Sequence, residues 1–256
     1  EEEEEDLARA IAMSMEKTVD DNVRSFQELT GTSEQEATTF LRSANDNVDA
    51  AVGLYFDGKS ESTKKYTVMM KKIDVACFQL CSSESVEKNI VMIDRMFNSI
   101  EKKLDLVCLP ECAAIFTESK KKLNAYSDNW HEKFVNFIKD RAKKNKTDVL
   151  IGSIPYKKKN LKFLNRSIVV DSRGIEISYY DKINLFNVNL GSKEKYFESK
   201  NYDSGREIKV AKLSYGNLGL SICYDIRFPI LYRKLVKKGA DFISIPAAFT
   251  HTTGLA

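Results

Sequence analysis

The chain has only two histidines, His131 and His251. A hydrolase that pairs its nucleophile with histidine therefore has little to draw on, which weighs against a cysteine deubiquitinase. No run of about 18 apolar residues occurs, so a helical membrane span is not expected. The first residues, EEEEED, carry no basic-then-apolar leader, so no signal peptide is read there. They also lack an initiator Met, and the sequence reads as a fragment. Five cysteines without a secretion signal suggest free thiols in a reducing, cytoplasmic compartment rather than a disulfide framework. The lysine-rich part has no aromatic-interleaved basic stripe, so its lysines read as a solvated surface and not as a nucleic-acid site.

What is present is ordinary for a globular protein: 256 residues, 43% apolar and 30% charged. That length suggests two domains, or one large domain with an appendage. The net charge of +3 hides a division. Residues 1–63 hold 16 acidic and 5 basic residues, against 21 and 35 in residues 64–256. An acidic leader and a basic body read as separate units.

Leu7, Ala10, Ile11 and Ser14 recur at spacings of three and four, on one face of a predicted helix over 1–17. The acidic run before it favours the positive helix end. Residues 20–58 predict three short helices. The first carries Val23, Phe26 and Leu29 and stops at Gly31. Thr32 or Ser33 caps the second, which buries Ala37, Phe40, Leu41 and Ala44. Asn45-Asp46 turns into the third, which buries Val48, Ala51, Val52 and Tyr55. Residues 59–70 read as a linker.

From residue 71 the pattern changes. KIDVACFQL and LDLVCLPE are short apolar β runs separated by a helix with Val86, Ile90, Ile93, Phe97 and Ile100 on one face. A helix over 129–145, a strand over 147–156, and hairpins around Ser172-Arg173-Gly174 and Tyr215-Gly216-Asn217 follow. IRFPILYRKLVKKG reads as a helix and ADFISIPAAF as the last strand. Strands alternating with helices argue for an α/β layered fold.

Three polar residues directly follow or close apolar strands: Glu111, Lys182 and Cys223. In open α/β sheets chemistry collects at such ends. A carboxylate raised by desolvation can take a thiol's proton, and a cation near the attacked carbon stabilises an oxyanion. Each residue alone has a blander reading: a core cysteine, a surface lysine, a glutamate at a helix start. Asp225 and Arg227 read as structural, with a mutual ion pair as one option. Cys77/Cys81 and Cys108/Cys112 have the wrong spacing for a zinc knuckle and read as core thiols.

Together, LPE at 109–111, YYDKINLFNVNL at 179–190 and GLSICYDIRFP at 219–229 resemble the three ordered motifs of the nitrilase, or carbon–nitrogen hydrolase, superfamily. IPAAFTHTTG at 245–254 resembles the family's next segment. The resemblance implies an α-β-β-α sandwich. It also implies Glu111 as general base, Lys182 as oxyanion stabiliser, Cys223 as nucleophile and the Tyr224 backbone N–H as a second oxyanion donor. Glu198 resembles a fourth family residue that orients the lysine and substrate. The loop after Lys182 and the RFP after Cys223 look like the amidase branch acting on small dicarboxylic monoamides, without metal or cofactor, usually as a homo-oligomer. Deaminated glutathione amidase and omega-amidase belong to that branch.

The acidic run with Leu7, Ala10, Ile11 and Ser14 resembles the ubiquitin-interacting motif, although Lys17 stands where the motif usually has an acid. Residues 20–58 look like a UBA-like domain with Leu29 in its binding loop. These likenesses imply ubiquitin as a partner. An alternative reading makes the chain a ubiquitin-binding adaptor with an inert hydrolase part. The family normally continues past residue 256 with further strands, so the hydrolase sandwich is expected to be incomplete, less stable than a full domain, and open to question as an enzyme. Met69-Met70 stands just before Lys71 as a natural start would.

Overall fold

The computed structural model describes residues 21–63, 72–158, 162–189 and 195–249. The predicted helix over 1–17 lies outside them. The chain divides into two units, Glu1–Met70 and Lys71–Ala256.

The first unit has helix α1 (residues 21–30), α2 (Glu34–Ser43) and α3 (Val48–Thr63). Gly31 ends α1 with a φ of 70°, a left-handed position that glycine adopts without strain. Ser33 then opens α2 in a capping box with Glu36, satisfying two of the free N–H groups at the helix start. Asn45 and Asp46, both at positive φ, turn the chain into α3. Phe26, Phe40 and Tyr55 meet in the centre with ring centroids 5.3–5.9 Å apart. Val23, Ala37, Leu41 and Ala51 close the core around them. Leu29, placed with Val23 and Phe26 in the sequence pattern, is exposed instead. The expected linker begins inside α3, which runs through Gly58 to Thr63. A single interior glycine costs a helix only about 1 kcal/mol and does not end it.

The second unit is built on a five-stranded sheet in the order β1 (Val75–Cys77), β2 (Leu106–Cys108), β3 (Asp148–Lys157), β4 (Phe163–Val170) and β5 (Glu176–Asp181). The first three strands are parallel; β4 runs against both β3 and β5. Val107, Leu109, Val149, Ile151, Ile168 and Val170 face a layer of helices: α4 (Val86–Asn98), α5 (Lys120–Asn129) and α6 (His131–Asn145). Leu106, Leu150, Val169 and Tyr180 point the other way. They pack on Ala211, Leu218, Leu220 and Ile222 of a second region.

That region follows a two-stranded ribbon, β6 (Asn187–Asn189) with β7 (Lys195–Phe197). It contains β8 (Val210–Leu213), β9 (Gly216–Leu220) and β10 (Phe242–Ser244). These three strands form a sheet in the order β10-β9-β8. Its outer side receives α7 (Pro229–Lys237), whose Leu235 reaches Gly219. The layers are therefore helix, sheet, sheet, helix, as the motifs implied.

Three details differ from the sequence reading. Helix α5 was not anticipated, because KKKLNAYSDN buries only Leu123 and Tyr126. The last strand stops at Ser244, where Pro246 has no N–H to continue a ladder. Cys77 and Cys81 are exposed rather than core thiols. The inter-sheet core draws on β2 to β5 and not on β1, so Cys77 on that edge strand stays uncovered.

Candidate active site

The topology explains why distant residues meet. Strands β2 and β5 point the same way and β4 runs against them. The end of β2, the end of β5 and the start of β4 therefore lie on one edge of the sheet. Glu111 follows β2, Lys182 follows β5, and Asn165 stands near the start of β4. On the second sheet, parallel β9 and β10 both lead to the site, through Cys223 and Ala248.

Backbone packing fixes each group. Strand β3 has a register irregularity between Ile151 and Ile154. There Ser153 accepts Ala113 N–H at its carbonyl (2.9 Å), and its Oγ accepts Cys112 N–H (2.9 Å). Such irregularities re-aim a strand's neighbours, here the turn that carries Glu111. A Cβ at Gly152 would sit 2.1 Å from the Leu109 carbonyl oxygen, so only glycine permits this approach. On the other side, Gly205 N–H donates to the Lys182 carbonyl at 2.8 Å.

Lys182 is 2% exposed and bridges two carboxylates: Glu111 Oε1 at 2.8 Å and Glu198 Oε2 at 3.0 Å. Burial alone would lower its pKa; attraction to Glu111 and Glu198 outweighs this, and the net shift is upward. Its ammonium thus stays charged. Nζ donates a hydrogen bond to Glu111 and ion-pairs with Glu198, which leaves N–H capacity for a further acceptor. Glu111, 6% exposed, also accepts the Ala248 N–H at Oε2 (3.0 Å). Glu198 Oε2 accepts the Phe186 N–H at 2.7 Å.

Cys223 opens a short 3₁₀ turn, Cys223–Arg227, at a φ of 46°. A non-glycine residue there is strained and must be held by its surroundings. Its N–H donates to the Pro246 carbonyl at 2.9 Å. Its thiol hydrogen-bonds to Glu111 and contacts the Ala248 N–H. Burial, then the Glu111 charge, push the thiol up to about 12, against a partial opposing pull from Lys182. The resting sulfur is a neutral thiol that needs a base.

Asp225 is the clamp for this turn, and it does not pair with Arg227. Its buried carboxylate accepts the Tyr180 hydroxyl (2.8 Å), the Ile222 N–H (2.9 Å) and both the backbone and side-chain N–H of Asn184 (3.0 and 2.8 Å). Tyr180 and Asn184 flank Lys182, so Asp225 ties the nucleophile turn to the lysine strand. Arg227 is exposed.

The structure thus brings together Glu111, Lys182, Cys223 and Glu198, with the Tyr224 backbone beside them at the start of the 3₁₀ turn. Sequence reasoning missed Asn165, which donates to Glu111 Oε1 at 3.0 Å and to Glu198 Oε1 at 2.9 Å. Its position in a strand flanked by Leu164 and Arg166 carries no distinguishing signal. Of the expected ubiquitin-binding residues, Leu29 is exposed. Leu7, Ala10, Ile11 and Ser14 lie outside the described residues.

A half-buried thiol, a buried carboxylate and a buried, charged lysine stand together at this sheet edge. The carbon-nitrogen hydrolase family model matches residues 74–255, and the chain belongs to that family. A UBA-like domain model matches residues 20–62, and a ubiquitin interaction motif matches residues 2–16.

Similar proteins include the deaminated glutathione amidase of Yersinia enterocolitica, 33% identical over 73% of this chain and 66% of that protein. Omega-amidase NIT3 of Saccharomyces cerevisiae is 31% identical over 73% of this chain and 67% of its own. The chain spans about two thirds of the length of these relatives. The crystal structure of the Caenorhabditis elegans NitFhit protein shares 33% identity, with a TM-score of 0.62 over 72% of this chain and 46% of that one. Among the described residues no helix is long and apolar enough to cross a membrane.

Proposed function

We propose that the second unit hydrolyses the terminal amide of a small carboxylate-bearing molecule and releases ammonia. The observation that carries this is the contact of the Cys223 thiol with Glu111, itself held by Lys182.

Cys223 Sγ attacks the amide carbon as its proton passes to Glu111. The carbonyl oxygen becomes an oxyanion, stabilised by a Lys182 N–H and the Tyr224 backbone N–H. Glu111 returns the proton to the amide nitrogen, the C–N bond breaks, and ammonia leaves. Water then attacks the thioester, giving its proton to Glu111. The S–C bond breaks, the acid is released, and the thiol recovers its proton. Glu198 holds Lys182 in place throughout. The names of the relatives, deaminated glutathione amidase and omega-amidase, support an ω-amide substrate.

Ammonia release from a panel of small ω-amides tests this. The wild-type chain is expected to turn over at least one of them, and Cys223→Ser none. Equal rates in the two would overturn it.

A second reading concerns the first unit and rests on Leu29, Leu54 and Phe56, which are 47%, 45% and 54% exposed on a very small domain. With the two family matches, these support ubiquitin binding. Retention on ubiquitin beads that weakens with Ala10→Arg, and further with Leu29→Asp, is the expected result. Retention unchanged by both substitutions would contradict it.

A further inference from the structure

Glu111 and Glu198 lie on either side of one ammonium. Two carboxylates and one lysine leave the cluster an excess negative charge when both acids are ionised. Water offsets little of it at Glu111 and Lys182, which are buried; only Glu198 is partly exposed. Asn165 supplies what is missing. Its carboxamide has two N–H donors; one goes to Glu111 Oε1 at 3.0 Å and the other to Glu198 Oε1 at 2.9 Å. The amide can sit only this way round, since a carboxylate has nothing to donate to the amide oxygen. The same residue's carbonyl accepts the Lys182 backbone N–H at 2.9 Å. Asn165 therefore touches all three charged members of the cluster.

The bonds also distinguish the two oxygens of Glu111. Oε1 accepts from both Lys182 Nζ and Asn165 Nδ2, which fills its two lone pairs. Among the described residues Oε2 accepts the Ala248 N–H, which leaves its second lone pair for the Cys223 thiol. We infer that Asn165 is a positioning residue that holds Glu111 beside Glu198 and directs proton transfer from Cys223 to Oε2. The inference rests on the amidase reading for its kinetic part and on the cluster's geometry for the rest.

The groups that bear on Glu111 are Lys182 after β5, Glu198 after β7, Cys223 on its 3₁₀ turn, and the neighbouring Cys112 and Tyr202. An Asn165→Asp substitution keeps the shape and adds a third acid. Three neighbouring acids around one lysine cannot all ionise as readily as two, so the cluster as a whole loses its last proton at higher pH. Asn165→Ala removes both donors without adding charge.

The test measures two pH profiles: kcat/KM for ammonia release, and the rate of Cys223 alkylation by iodoacetamide, located by peptide mapping. For Asn165→Asp, the acid limb of both profiles should move up by about one pH unit or more. For Asn165→Ala, kcat should fall about 10- to 100-fold while KM changes little. Ser167→Ala is the control. It lies on the same strand and bonds only the Ile151 carbonyl, and it should leave both profiles in place. A folded Asn165→Asp with wild-type profiles overturns the inference, and that variant decides if Asn165→Ala does not fold. If the wild-type chain hydrolyses no amide, the amidase reading fails. The alkylation profile still decides the role of Asn165, by shifting or not.

Discussion

In the helical unit the side chains available to a partner stand in water, as Leu29, Leu54 and Phe56 do. In the hydrolase unit the side chains that carry chemistry are withdrawn from water, as Glu111 and Lys182 are. The two arrangements draw on stability differently. An exposed apolar residue contributes little to folding, so the binding face of a small domain can be changed cheaply. A buried ion cluster costs several kcal/mol per ion in desolvation, offset only while every partner is in place. Removing one partner there should damage the fold as well as the reaction. The core of the first unit is a trio of rings, and its surface is spare. The core of the second is large, and its fragile part is the site.

This contrast can be broken or sharpened by mutation. The largest effect is expected for Cys223→Ala, which removes the attacking atom. Ammonia release should fall by about 10⁴-fold or more, with the thermal midpoint little changed, since alanine keeps the Cβ and the same backbone strain. Steady-state kinetics and a melting curve read both quantities. Lys182→Ala comes next. It strands two carboxylates in the interior, and chemical denaturation should show a loss of about 3–5 kcal/mol alongside the loss of activity. A stable Lys182→Ala protein would show the cluster to be more hydrated than its burial indicates.

Phe26→Ala should cost a similar amount, about 3–5 kcal/mol, but confined to the first unit. Its helical signal should melt early while ammonia release persists. If activity falls with it, the two units are energetically linked. Leu54→Asp should do the opposite, weakening retention on ubiquitin beads while stability moves by no more than about 0.5 kcal/mol.

Within the neutral range the smallest effect is expected on pH dependence, which appears only above about pH 9. Burial pushes the Cys108 and Cys223 thiols from an ordinary 9.0 up to about 12. A raised folded-state pKa favours the fold fully below about pH 9, and this contribution is lost as pH climbs toward 12. Tyr126 and Tyr180, also raised by burial, act in the same direction. Denaturation midpoints should therefore be flat between about pH 7 and 9 and decline above that, less steeply in Cys108→Ser. A midpoint that rises with alkalinity would contradict the burial of these groups.

Much of the site was legible because apolar strands that stop at a polar residue stand out, and Glu111, Lys182 and Cys223 all do so. The fold's layers were legible from alternating strands and helices. Asn165 was hidden for the opposite reason: it opens a consecutive polar run, Asn165-Arg166-Ser167, and nothing local separates a solvent-facing amide from one that braces two carboxylates. Asp225 was read as structural, but its partners Tyr180, Asn184 and Ile222 were not foreseen, because they are neutral and mostly remote in sequence while the charged Arg227 is two residues away. Helix α5 was missed because its apolar face is two residues wide, and α3 outlasted its expected end because Gly58 is tolerated inside it. The Asn165 and Asp225 partners are supplied by the fold, whereas the two helix misses turn on local features that the apolar pattern underweights.

The central claim is that Cys223 is acylated by the substrate. Quenching the chain in acid during turnover of an ω-amide, followed by peptide mapping by mass spectrometry, tests it directly. The account expects the substrate's acyl group on Cys223 and on no other of the five cysteines. Ammonia release that continues in Cys223→Ala, or an acyl group found elsewhere, would contradict it.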